Sequence, residues 1–154
     1  MVEPKPNPNP LFLRHRELDE AVDLLFFAYR DFSAATDDIL ARNGLGRAHH
    51  RALHFIARQP GITVGGLAAT LQVTKQSLGR VLQRLTEQGL VHLAPGDSDR
   101  RQRLLHTTAS GGALMAALDD RQRQILGQAF RRAGAEAVAG FSQVLGGLHQ
   151  RSKS

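Results

Sequence analysis

The chain of 154 residues contains no cysteine. Disulfide bonds, thiolate zinc sites and cysteine nucleophiles are therefore excluded, and the absence is compatible with a reducing cytoplasm, where we expect the protein to act. Long apolar runs are also missing: the longest, residues 21–29, is interrupted by Asp23 and falls short of the roughly 20 residues that a membrane span needs. We therefore expect a soluble protein that has no membrane partner.

Signatures of enzymes are missing as well. The sequence has no glycine-rich phosphate loop, no internal repeat and no spacing that indicates a serine–histidine–acid triad. Its adjacent acidic pairs, Asp37–Asp38 and Asp119–Asp120, would point about 100° apart on a helix, so the members of a pair cannot act on one substrate. We expect no cofactor, and an enzyme is the weakest hypothesis of function.

Positive charge is in excess, with 20 Lys and Arg against 14 Asp and Glu and a formal net charge of +6. This balance makes a polyanionic partner worth considering. Hydrophobic residues make up 42% of the chain and charged residues 22%, which suits one folded domain or a small domain with an oligomerisation arm. Four of the six prolines lie in residues 1–10, which we predict to be a disordered, polyproline-like leader and not a signal peptide.

Apolar residues recur at helical spacing at both ends of the remaining chain. Residues 11–40 are predicted to be helical with a break near 34–36. Residues 109–130 and 133–150 are predicted to form two further helices. Between these regions, a helix is predicted over 47–58.

The centre of the chain has the pattern of a winged helix. Thr63 and Thr74 are predicted to cap two short helices, and the second has a buried leucine stripe opposite a polar and basic face. Strands are predicted at 90–93 and 103–107, joined by a basic loop. Two helices in a tight turn followed by a hairpin form a winged helix-turn-helix. The predicted fold class is therefore mainly helical (α+β), with a DNA-binding domain over 47–108.

Two segments resemble the MarR family of bacterial transcription regulators. In the family's wing signature an Asp-x-Arg pair is followed by a strand, by a threonine that opens the next helix and by a glycine three residues later. Asp99, Arg101, Thr108 and Gly111 match it. Residues 73–91 are similar to the family's recognition helix and its Gly-Leu-Val exit.

The resemblance covers residues 18–148 and implies a homodimer. Its interlocking regions would be the N-terminal helical region, 11–46, and the C-terminal helices, 109–154, which are too long for one small wing domain to bury. The two winged helices would then read a palindromic operator in double-stranded DNA, as a repressor does. A DNA-compacting architectural protein with little sequence preference is the alternative hypothesis.

The candidate DNA contacts lie in the recognition helix and the wing. We expect bases to be contacted by Thr74, Lys75, Gln76, Ser77 and Arg80 and phosphate by Arg84. In the wing, we expect Arg100, Arg101 and Arg103 to reach the minor groove. Asp99 is predicted to hold the wing's shape by accepting hydrogen bonds from Arg101 or a nearby arginine. The alternative for each set is an ordinary solvated, charged surface.

Histidines and aromatic residues form the second candidate site. His49, His50 and His54 crowd one predicted helix, where structural capping, ligand binding and metal binding all remain open; no metal site is assigned. An aromatic stripe, Phe26, Phe27, Tyr29 and Phe32, has the spacing of a core or dimer interface. In the MarR family the effector pocket lies where dimerisation helices meet the wing domain, so the resemblance implies a small aromatic or anionic effector at Phe27, His49 and His50.

Overall fold

The computed structural model of the chain describes residues 13–150, so the predicted leader, 1–10, lies outside the described residues. Within 13–150 the elements are, in chain order, α1 (His15–Ala34), α2 (Asp37–Arg42), α3 (Arg47–Arg58), β1 (Ile62–Thr63), α4 (Val64–Leu71), α5 (Lys75–Glu87), β2 (Val91–Pro95), β3 (Arg103–Thr107), α6 (Ala109–Ala133) and α7 (Ala135–Gln150). This order confirms the predicted winged helix-turn-helix with flanking helices. None of these helices is long and apolar enough to cross a membrane.

The chain divides into two compact units between Ala35 and Thr36, at the predicted helix break. The first unit contains α1, which has no buried residue. Phe26 and Tyr29 are 63% and 62% exposed, so of the two alternatives for the aromatic stripe they do not belong to the core of this chain, and a dimer interface stays a prediction. The second unit contains all the later elements, so the predicted N-terminal dimerisation region, 11–46, includes α1 of the first unit and α2 of the second. The roles of the predicted regions remain predictions.

The core of the second unit forms from the apolar faces of its helices. On α5 the predicted stripe is buried at Leu78, Leu82 and Leu85, while Val81 is partly exposed. On α3 the buried residues are Ala52, Leu53 and Ile56. These side chains join one cluster with residues of α4, α6 and the sheet. The leucine pattern thus turns the polar face of α5 outward.

Threonine caps begin three of the helices, as predicted. The side-chain oxygen of Thr63 accepts from the N–H of Gly66 at 3.0 Å, and that of Thr74 accepts from the N–H of Ser77 at 3.1 Å. Thr108 caps α6 in the same way. Each cap satisfies an N–H that has no partner within its helix.

The sheet has three antiparallel strands in the order β1-β3-β2. The second strand of the predicted hairpin has the expected limits, but the first runs over Val91–Pro95 and not over 90–93. Leu90 is excluded because its N–H donates to the carbonyl of Leu85 and so ends α5. At the other end, Pro95 still pairs with Arg103, since a strand end tolerates a residue without an N–H.

Candidate DNA-binding interface

The first turn of α5 presents its polar side chains to solvent. Thr74, Lys75, Gln76 and Ser77 are all exposed, as is Arg80 one turn later. The Ser77 hydroxyl donates to the Thr74 carbonyl at 3.1 Å, which fixes the hydroxyl next to the cap. Because the buried leucines lie on the other face, these five residues form a single polar surface at the start of the helix. This is the end of a recognition helix that enters the major groove most deeply.

A cleft of about 340 Å³ lies between the start of α5 and the wing. Lys75 borders it from α5, while Arg101 and Arg103 border it from the wing. Three cations on one cleft attract an anionic backbone such as that of DNA. Arg100 is exposed but does not line the cleft.

The start of α4 completes the cleft through Thr63, Val64 and Gly65. Sequence reasoning missed these residues as part of a site and identified Thr63 only as a cap. A Cβ on Gly65 would lie 3.4 Å from Cε of Lys75, so the two helix starts are in close contact. The helix-turn-helix order could have indicated these residues, because the helix before a recognition helix crosses the DNA backbone.

Asp99 holds the wing loop through the backbone. Its Oδ1 accepts from the N–H of Arg101 at 2.9 Å, and its carbonyl accepts from the N–H of Gln102 at 3.0 Å. In the part of the chain that the structure describes, no ion pair joins Asp99 to an arginine. The expected arginine contact therefore involves the N–H of Arg101 and not its guanidinium, because an Asx turn brings that N–H within reach.

Arg84 points toward the turn between α2 and α3. Its Nη2 lies 3.5 Å from the carbonyl oxygen of Gly44, and Nε2 of the neighbouring Gln88 donates to the carbonyl of Asn43 at 2.9 Å. Sequence reasoning missed Gln88, because periodicity carries no signal for contacts between such distant positions. The phosphate contact of Arg84 remains a prediction.

His49 acts as a cap at the start of α3. Its Nδ1 accepts from the N–H of Gly46 at 3.0 Å. Burial and then the charge of Arg84 lower the pKa of His49 below its usual value. A neutral imidazole whose Nδ1 accepts a hydrogen bond carries its proton on Nε2, so His49 has a donor on that side.

Burial is also the largest cause that lowers the pKa of His50 and of His54. Asp119 of α6 acts in the opposite direction on both histidines. Among residues 13–150, no group of three or more His, Asp or Glu side chains is arranged to hold a metal ion. Phe27, the third candidate ligand residue, belongs to α1 and therefore to the other compact unit.

The adjacent carboxylates at the start of α2 have different partners. Asp37 accepts from Nε and Nη2 of Arg47 at 2.9 and 2.7 Å. Asp38 pairs with Arg121 of α6 at 3.2 Å. The hydrogen bond from Arg47 is the largest cause that lowers the pKa of Asp37. Both groups thus connect α2 to other helices.

Comparison with known proteins decides which winged-helix family this is. Residues 43–102 match the MarR family. The chain is 50% identical over 135 residues to the HTH-type transcriptional regulator PetP of Rhodobacter capsulatus, a match that covers 88% of this chain and 81% of that protein. The chain belongs to the MarR family. As a MarR-family protein it is a DNA-binding transcriptional regulator and not an enzyme.

The chain is also similar to another regulator and to two solved structures. A putative transcriptional regulatory protein for the hcr operon of Thauera aromatica is 29% identical over 92 residues, which are 60% of this chain and 54% of that protein. The structure of Streptococcus pneumoniae FabT in complex with DNA has a TM-score of 0.76 at 17% identity and covers 91% of this chain and 98% of FabT. A MarR family protein from Bacillus stearothermophilus has a TM-score of 0.77 at 17% identity, covering 93% and 100%. These two structures share the fold.

Proposed function

We propose that this MarR-family regulator is a homodimeric repressor that reads a palindromic operator and releases it when a small aromatic or anionic ligand binds. The observation that carries the DNA-reading part is the cationic cleft bordered by Lys75, Arg101 and Arg103. It places phosphate-attracting charge directly beside the exposed first turn of α5.

Each structural part has a distinct task in this proposal. Thr74, Lys75, Gln76, Ser77 and Arg80 contact base edges in the major groove, where Arg and Lys pair with guanine and Gln pairs with adenine. Arg101 and Arg103 attract the backbone and the narrow minor groove, and so does Arg100, which is exposed outside the cleft. Arg84 meets phosphate, and Asp99 keeps the wing loop closed.

Dimerisation is supported by large apolar side chains that are exposed on α1 and α7. On α1, Val22, Leu24 and Phe26 are 66%, 70% and 63% exposed. On α7, Val144 and Leu148 are 64% and 50% exposed. Such large exposed apolar faces indicate a protein interface, and a second copy of the chain is the partner that symmetric association supplies.

A dimer sets the geometry of the operator. Two recognition helices reach successive major grooves on one face of B-DNA when their half-sites are about 34 to 36 Å apart. A ligand that prefers a different spacing of the two copies therefore weakens DNA binding. We place the protein in the cytoplasm, where such a regulator meets DNA.

We propose that Phe27, His49 and His50 each contribute to ligand binding. The neutral His49 has an Nε2–H donor, which suits a phenolate or carboxylate oxygen. His50 is partly buried, and a partly buried donor binds an anion more strongly than a fully hydrated one. Phe27 would supply the apolar surface for an aromatic ring.

A selection experiment tests the proposal. The full-length protein is used to enrich duplexes from a random-sequence library, and light scattering then gives the mass of the complex with the enriched duplex. We expect an inverted repeat, two chains of 16.8 kDa per duplex, and at least about 10³-fold preference over random DNA. Equal affinity for enriched and random duplexes would support the architectural alternative instead.

A further inference from the structure

The turn between α2 and α3 presents two carbonyl oxygens outside its own helix. The N–H of Leu45 donates to the carbonyl of Leu40 at 2.9 Å, and the N–H of Gly44 donates to that of Ala41 at 3.0 Å. This is the hydrogen-bond pattern of a Schellman helix end, which uses the earlier carbonyl groups of α2. The carbonyl groups of Asn43 and Gly44 lie beyond it and accept from another part of the fold.

Two side chains at the end of α5 reach these carbonyl groups. Nε2 of Gln88 donates to the Asn43 oxygen at 2.9 Å, and Nη2 of Arg84 lies 3.5 Å from the Gly44 oxygen. A Cβ on Gly44 would lie 2.8 Å from the same Nη2, so Arg84 lies directly over this glycine. The partners are 45 and 40 positions apart.

The turn is held in place by the core. Leu40 and Leu45, on its two sides, are 2% and 8% exposed. The ion pair of Asp37 with Arg47 also ties α2 to α3, but both side chains are 47% exposed, and exposed pairs contribute little to stability. The buried leucines therefore make the turn a fixed support for the end of α5.

We propose that Gln88 is a positioning residue for sequence reading: its bond to Asn43, assisted by Arg84 over Gly44, fixes the angle at which α5 meets DNA. The proposal deepens the proposed function and rests on it, because it presumes that the start of α5 reads bases. Neither Gln88 nor Asn43 touches DNA in this account.

Geometry explains why a contact at one end of α5 affects reading at the other. α5 has 13 residues and is therefore about 20 Å long, so a tilt of about 5° moves its ends by nearly 2 Å relative to each other. Bidentate base contacts depend on alignment, whereas attraction to phosphate varies slowly with distance. Loss of the support therefore affects specific binding much more than binding to random DNA.

The test compares the full-length protein with Gln88→Met, which keeps the side-chain length and removes the donor. Gln83→Met is the matched control, because Gln83 lies on α5 itself and donates to Glu87 within that helix at 2.9 Å. Affinity is measured for the enriched duplex and for a random duplex of equal length. We expect Gln88→Met to lose roughly three- to tenfold on the enriched duplex and less than twofold on the random one, and Gln83→Met to lose neither.

A second variant, Gln88→Lys, keeps a donor and is expected to retain the ratio of the two affinities. If thermal unfolding shows that Gln88→Met does not fold, the ratio of affinities in Gln88→Lys tests the proposal instead. The proposal would be overturned if Gln88→Met lost equal affinity for both duplexes or kept the affinities of the unmodified protein. It would also be overturned if Gln83→Met lost as much affinity as Gln88→Met, or if Gln88→Lys did not retain the ratio of the two affinities. Unmodified protein that binds both duplexes equally would instead refute the proposed function, and the positioning role with it.

Discussion

Gly111 at the start of α6 lies against the backbone of Leu90, and a Cβ on Gly111 would overlap the Leu90 carbonyl oxygen. The same oxygen accepts from the N–H of Thr108 at 3.1 Å. The Thr108 hydroxyl donates to the carbonyl of Gly89 at 2.6 Å and accepts from the N–H of Gly111 at 3.0 Å. The threonine and glycine that follow the wing thus fasten α6 to the end of α5.

The neighbouring glycine provides a matched test of this contact. We expect Gly111→Ala to lower the free energy of unfolding by about 1 to 3 kcal/mol, because the new methyl group meets backbone that cannot move away. Gly112→Ala should raise it by about 0.5 to 1 kcal/mol, since nothing lies within 4 Å of that position and alanine favours the helix. Urea unfolding measures both, and shifts of the same sign in the two variants would contradict the contact.

Local chemistry explains which features the sequence could predict. The caps at Thr63, Thr74 and Thr108 involve residues three positions apart, and the leucine stripe of α5 follows helical spacing, so both are visible in the sequence. The first residue of β2 was harder to predict from the sequence, because the N–H of Leu90 already bonds to the end of α5. The limits of the other helices depended on the same local signals, namely capping residues and helical spacing.

Long-range geometry explains what the sequence could not predict. The hydrogen bond from Gln88 to Asn43 depends on how two helices pack, and the periodicity of the sequence carries no signal for it. The sequence predicted a hydrogen bond from Arg101 to Asp99, but it could not predict that the donor is the backbone N–H, because residue types do not distinguish a guanidinium from a backbone N–H. The sequence also could not predict that Lys75 borders a cleft, because this cleft depends on how the wing packs beside α5.

Arg80 provides a test of base reading. We expect Arg80→Ala to weaken binding to the enriched duplex by about 1 to 3 kcal/mol and to relax preference at one base pair, because a bidentate contact is lost. The measurement is a titration against duplexes with single-base changes. Arg123→Ala is the control, since Arg123 pairs with Asp119 and Asp120 on α6. Unchanged affinity and unchanged base preference would exclude Arg80 from the reading surface.

The two cleft arginines of the wing provide a test of phosphate attraction. We expect a double variant, Arg101→Ala with Arg103→Ala, to weaken binding to enriched and random duplexes by similar factors. The slope of log K against log salt should become shallower by about 1 to 2. Arg101→Ala keeps the backbone N–H that Asp99 binds, so the loop should stay closed. Arg100→Ala, outside the cleft, should change the slope less, and an unchanged slope in the double variant would mean that the wing does not touch DNA.

Acidification is expected to destabilise the protein through the histidines of α3. Burial lowers the pKa of His49, His50 and His54 in the folded state, so below the ordinary value of 6.5 the unfolded chain binds more protons. The free energy of unfolding therefore falls as the pH is lowered from 7.5 to 5.5. Urea unfolding of a triple His→Gln variant should show roughly half of this pH dependence or less. An identical dependence in both proteins would contradict the assignment.

Ligand release tests the candidate ligand residues Phe27, His49 and His50. A panel of phenols and benzoates is titrated into the complex with the enriched duplex, and DNA release is the readout. A compound that lowers DNA affinity tenfold must prefer the unbound protein by about 1.4 kcal/mol, and DNA must weaken the binding of that compound by the same factor.

We expect His50→Ala and Phe27→Ala to need more compound for release. His49→Ala should behave likewise, although it also removes the Gly46 cap. His92→Ala, on the wing sheet, should retain full potency. Equal potency on all four variants would mean that these histidines are structural and that any effector binds elsewhere.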